Sequence, residues 1–477
     1  MAFKAQVPSR NNIRSEKMNF RSLFGFGLIS LLVFITAFAC EDSNDSSGQS
    51  SSTAGESESA FELWAVDQST DDNHGGLLYI WDGNSIAENA SAAAPEIIDL
   101  GAAASQAGCD IPKKPHMVLA NHTALNPLDF RFSRASHVVL ANVGSGDTFF
   151  IDIDSRSVVG CVNTIGGFNG AGGTGNSHAS TPSVDGSMVV VANIGAKGES
   201  GFLHKIQTDY ANDKYTFVET LALDQFSSAL GTAVARPICQ EFTADSEFIY
   251  VTMAGGGLLV VDAGSDDGSA PMNVVKVYDA ATVPGIGCGV ARLPNGNIMT
   301  NGESGAKGGD DFLYTFDASK ADEGIFPDPV QIELPGEDTH GAVTCTDQDG
   351  NLFAVTSMRV SNDVNFIDLQ TNKVVATQSM ATSFSPDPKP DVADVVGKKM
   401  FIALRGPKPL SAIGSLESAN RTPGVAVLTI DDDCKGFTFE AKDIASMEDS
   451  DRTIQFGLTD GSTITAADPH GLEVVWK

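Results

Sequence analysis

Short apolar runs ending in aspartate recur along the chain. They read LLYIWD to Asp82, TFFID to Asp152, HKIQTD to Asp209, LLVVD to Asp262, LYTFD to Asp317, VNFID to Asp368 and VLTID to Asp431. A β-branched or aromatic run precedes each one, as in FELWAVD from Phe61, MVVVAN from Met188, FIYVTM from Phe248 and MFIALR from Met400. The pattern is clearest at His137–Ser155, HVVLANVGSGDTFFIDIDS, where two strand-like runs flank a Gly-Ser-Gly-Asp turn and SVVGCVNTI supplies a further strand. A unit of this kind, repeated at a period of about 50 residues, predicts one supersecondary element stacked many times. The predicted fold is all-β, a seven-bladed β-propeller over residues 61–477.

The chain ends predict how the ring closes. HGLEVVW before Lys477 matches the blade-opening runs CGVARL and HGAVTC but has no strand after it, whereas the first repeat at Phe61 has no opening strand before it. The last strand therefore completes the first blade and removes an open edge. The Ala-rich stretch Ala87–Pro127 reads as an excursion from the ring.

These units resemble the YVTN-type β-propeller repeat family, most clearly at Val138–Asp152, Phe248–Asp262 and Leu352–Asp368. Lactonase-like and quinoprotein-like propellers share the repeat, so the resemblance implies a fold rather than an activity. SFSPDPKPDVADVVGKKMFIALRGPKPLSAIG and the ending ADPHGLEVVWK look like an exported branch of that family.

Residues 1–39 read as a secretory signal, with Met18 as an alternative start: Arg21 precedes an apolar run from Leu23 to Ala39. Ala37-Phe38-Ala39-Cys40 resembles the bacterial lipobox, which implies a lipid anchor on Cys40 and an envelope location, outer membrane favoured. Residues 40–60 are acidic and Ser-rich, a flexible tether. A formal net charge of −31 argues against nucleic acid as a partner. Export permits disulfides, but Cys109, Cys161, Cys239, Cys288, Cys345 and Cys434 allow 15 pairings, and none is singled out.

Blade-opening strands are innermost in a propeller, so their first residues face the axis. Those positions hold His178, Cys239, Cys288, His340, Asp391 and His470, with His116 or His122 in the second blade. Imidazoles and thiolates converging on an axis form a donor set for a transition metal (Cu, Fe or Zn), with His178, His340, His470, Cys239 and Cys288 as candidate ligands. Asp338 and Asp468, two residues before His340 and His470, are candidate carboxylates for orienting the rings. The alternative is a wet channel of hydrogen-bonded polar residues.

The glycine run Gly166–Ser177 lacks the Lys-Ser/Thr of a phosphate loop, and no GxSxG elbow occurs. Arg405-Gly-Pro-Lys-Pro reads as a turn with exposed cations. From sequence the favoured function is a binding scaffold for a protein, envelope component or small ligand. The competing readings are an axial metal-dependent enzyme and a lactonase-like hydrolase.

Overall fold

The computed structural model describes residues 61–477 except 71–73, 123–124, 127–130, 133, 286, 303–310, 412–415 and 449–453. The signal, Cys40 and the tether lie outside the described residues. Seven antiparallel sheets, each of four or five strands, form a ring: a seven-bladed β-propeller, as the repeats predict.

Each blade uses the repeat in the same way. In blade 2, Pro115–Ala120 is the inner strand, followed outward by His137–Asn142, Asp147–Asp152 and Ser157–Asn163. The aspartate-terminated runs are thus third strands. In five of the seven, the terminal carboxylate accepts a backbone N–H two or three residues on: Ser85 for Asp82, Ser155 for Asp152, Gly264 for Asp262, Ser319 for Asp317 and Gln370 for Asp368. The aspartate therefore caps the turn into the outer strand, which is why it recurs. Middle strands are buried on both faces, as in Met188–Asn193, because neighbouring blades pack against each side. Outer strands alternate exposed and half-buried positions, as in Lys373–Ser379.

The C-terminal strand Pro469–Trp476 is the inner strand of blade 1 and pairs with Phe61–Asp67 from Phe61↔Trp476 to Asp67↔Pro469. The excursion expected over Ala87–Pro127 is instead built into the ring. Glu96–Asp99 is the outer strand of blade 1, the helix Leu100–Ala107 packs on the core shared with blade 2, and Pro115–Ala120 opens blade 2. The six cysteines of the described residues pair as Cys109–Cys161, Cys239–Cys288 and Cys345–Cys434.

Candidate metal centre on the propeller axis

The inner strands share one irregularity. In six blades the inner strand carries one more residue than its neighbour near its start. Ser177↔Asn193 is followed by Ala179↔Ala192, so His178 is the extra residue; Pro115↔Asn142 and Met117↔Ala141 bracket His116 in the same way. The other irregularities enclose Cys239, His340, Asp391 and His470. A β-bulge re-aims the side chain it carries, and here it turns one polar residue per blade toward the axis. Three of these residues follow, two positions on, a non-glycine residue in the left-handed region: Lys114 (φ 51°), Asp338 (φ 68°) and Lys389 (φ 49°). Such strain persists only where the surroundings impose it.

Glycines let the inner strands close up around these residues. A Cβ on Gly471 would sit 2.3 Å from the His116 carbonyl oxygen, and one on Gly341 would sit 2.3 Å from that of Asp391. The His-Gly pairs in the sequence are therefore one device: the imidazole reaches the axis and the glycine admits the adjacent strand.

Three imidazoles meet there. His116 Nε2 lies 3.1 Å from His178 Nε2 and 3.1 Å from His470 Nε2. The His116 and His178 rings meet edge-on, with centroids 4.2 Å apart, and the His116 and His470 rings stack, with centroids 4.0 Å apart. The opposite ring nitrogens are engaged: His116 Nδ1 lies 3.1 Å from Gln68 Oε1, and His470 Nδ1 lies 2.7 Å from Asp391 Oδ2. Donation from Nδ1 to these oxygens leaves Nε2 of His116 and of His470 as acceptors. Burial first, then the neighbouring imidazoles, holds His116 well below its ordinary pKa. Burial chiefly lowers His178 to about 3 and also lowers His470. All three are neutral at pH 7, the form that binds metal. Metal–nitrogen bonds of about 2.0–2.1 Å place tetrahedral nitrogens roughly 3.3 Å apart, close to the two separations of 3.1 Å that His116 makes.

A charged shell surrounds this trio. Asp391 is fully buried, and its second oxygen stands 3.3 Å from His340 Nε2. Burial alone raises its carboxyl, but His340, His470, Arg359 and Arg405 outweigh that and hold it well below the usual range, so it is ionised. Arg405 reaches Asp391 Oδ2 at 2.7 Å and grips Asp468 with two bonds of 2.9 Å. Arg359 grips Asp338 in the same two-pronged way, again at 2.9 Å.

The sequence-predicted residues are thus distributed as follows. His178 and His470 meet in the trio, and His340 sits one carboxylate away from it. Asp338 and Asp468 clamp Arg359 and Arg405, and Asp391 is the carboxylate on the His470 ring. Cys239 and Cys288 form a disulfide whose sulfurs lie 3.8 and 3.9 Å from His178 Nδ1; paired, they are not thiolate donors. Of the two second-blade histidines, His116 occupies the axis and His122 lies near Glu473, at 3.6 Å. Arg405 is fully buried rather than on an exposed turn, because two buried carboxylates hold it. Gln68 and Arg359 carry no sequence signal, since each acts through a strand distant in the chain.

Access is one-sided. A cavity of about 520 Å³, lined by Lys113, Asn176, Leu410 and Ser411, opens on His178 where the inner strands begin. Beneath the trio, an apolar layer of Met117, Ala179, Cys239, Cys288 and Val392 closes the axis.

No family model and no curated protein matches the chain. Solved structures do match, all as distant relatives in fold. A 6-phosphogluconolactonase candidate from Bacteroides uniformis shares 12% identity over 87% of this chain and 100% of that one, with a TM-score of 0.53. The periplasmic gluconolactonase of Pseudomonas aeruginosa shares 13% over 87% and 99%, with a TM-score of 0.52. A Lactobacillus plantarum protein shares 12% over 87% and 99%, with a TM-score of 0.51. At these identities the likeness is one of fold: the chain shares the β-propeller architecture of the gluconolactonase-like proteins.

Proposed function

We propose that this protein is an exported propeller, tethered by a lipid on Cys40, that binds one transition-metal ion on its axis through Nε2 of His116, His178 and His470. The observation that carries the reading is that Nε2 of His178 and Nε2 of His470 each lie 3.1 Å from Nε2 of His116, with Nδ1 of His116 and of His470 already engaged. Nε2 acceptors held this close repel unless a proton or a metal cation lies between them. Zinc, copper and iron all accept imidazole ligands. The mouth at His178 leaves the remaining coordination position reachable by a small ligand, and the apolar layer excludes approach from the other side. Asp391 and Gln68 orient two of the rings, and Arg405 and Arg359 fix Asp391 in turn. This takes up the axial metal-site reading that the sequence offers beside the favoured binding scaffold.

The test is elemental analysis of protein purified without chelator or histidine tag. The proposal expects close to one zinc, copper or iron per chain, lost in His116→Ala plus His470→Ala while the circular dichroism of the fold is retained. A folded wild-type protein that takes up no stoichiometric metal, even when the ions are supplied, overturns it.

A further inference from the structure

Beyond the apolar layer, on the side where the inner strands end, the axis widens into a second cavity of about 820 Å³. It is separate from the histidine trio and shares none of its residues. Its volume falls in the range of small-molecule sites, about 300–1,000 Å³. Met117, Leu119, Val290, Val392, Leu472 and Trp476 supply a largely apolar wall.

Three carboxylates stand in that wall. Asp394 on blade 7, Glu473 on blade 1 and Glu241 on blade 4 all line it. The local cations are committed: Arg292 pairs with Glu241 at 3.2 Å, and Lys398 Nζ donates to the carbonyl oxygens of Thr346 at 2.9 Å and Asp432 at 3.2 Å. His122 lies 3.6 Å from Glu473 and is the remaining titratable base of the cluster. Gln240, 4% exposed, spends its amide nitrogen on the Val190 carbonyl at 2.6 Å, and its Oε1 has no hydrogen-bond partner among the described residues. Burial first, then the field of Glu473, raises Asp394 to about 7, and burial likewise raises Glu241. The cavity therefore sets Asp394 in the field of Glu473 with no lysine or arginine paired to either among the described residues, while Arg292 and Lys398 line the wall beside Glu241 and Thr346.

We propose that this channel is a second ligand site, for an organic ammonium ion whose apolar body lies against the aliphatic wall and whose N–H groups donate to Asp394 and Glu473. A positive charge there relieves the mutual repulsion of the carboxylates. An organic anion adds to that repulsion, and a neutral alcohol gains only the apolar contact.

Three probes of one shape separate these cases: 4-phenylbutylamine, 4-phenylbutanol and 4-phenylbutyrate, titrated calorimetrically into the full chain. The proposal expects one amine per chain, bound at least tenfold more tightly than the alcohol, and no binding of the acid. Leu119→Trp, which fills the wall, abolishes amine binding, and Asp394→Asn with Glu473→Gln brings amine and alcohol to equal affinity. Stripping the axial metal leaves amine binding unchanged, so failure here is distinguishable from failure of the metal centre. Equal binding of amine and alcohol by wild type, undiminished binding by Leu119→Trp, or no amine binding at all overturns the assignment.

Discussion

Asp391 Oδ2 stands 2.7 Å from His470 Nδ1, across the seam where the last blade meets the first. A carboxylate behind a histidine fixes the tautomer and raises the basicity of the far nitrogen. Closing the ring and orienting the axial ring are therefore one event, because His470 belongs to the clasping strand. Asp391→Asn is expected to lower affinity for the axial metal about 10–100-fold, measured by competition with a chromophoric chelator, without loss of the folded state.

Arg405 joins Asp391 and Asp468 with all three groups fully buried. Removing one member of such a network leaves an uncompensated buried charge. Arg405→Ala should lower unfolding free energy by about 3–5 kcal/mol, seen as a reduced urea midpoint. An effect within ~0.5 kcal/mol, the scale of an ordinary surface substitution, would contradict the buried-clamp account.

Gly471 admits the His116 backbone at a distance no side chain tolerates. Gly471→Ala should destabilise the fold by about 1–3 kcal/mol and weaken metal binding together, because the His116 strand must move away. Gly461, whose surroundings are open, has a positive φ of 84° and is a poor control; Gly457 has open space and no such restriction, and Gly457→Ala should leave metal binding unchanged.

The channel carboxylates make stability depend on pH in a definite direction. Asp394 is raised from its ordinary value to about 7, by burial and then by Glu473. A group whose folded pKa is raised favours the folded state when protonated, so its contribution is lost as pH climbs from about 4 through about 7. Asp394→Asn cannot ionise. Its melting temperature relative to wild type should therefore rise between pH 5 and pH 8. A difference that stays flat across that window would show that Asp394 is not buried beside Glu473 as described.

The seven aspartates made the blades legible because each ends or follows a third strand and five of them cap the turn that follows, and the missing opening strand at Phe61 made the clasp legible. His178, His340, Asp391 and His470 were visible as blade-opening positions. Other features were not legible, for physical reasons. Glu96–Asp99 is a four-residue strand beside an Ala-rich helix, too short to show alternation, so blade 1's outer strand passed for an excursion. Arg405 sits in a Gly-Pro-Lys-Pro context that reads as surface, and its partner Asp468 lies 63 residues away. The choice between His116 and His122 turned on a one-residue bulge, which no local pattern marks. Cysteine spacing left the disulfides open, and the pairing of Cys239 with Cys288 reflects the adjacency of blades 4 and 5.

The most direct test of the account is to locate the ion. Crystals of protein purified without chelator, measured above and below the absorption edge of the metal found by elemental analysis, give an anomalous difference map that needs no assumption about function. The account predicts a peak on the axis within about 2.0–2.1 Å of Nε2 of His116, His178 and His470. A well-ordered map from metal-supplemented crystals with no peak between those three nitrogens would contradict it.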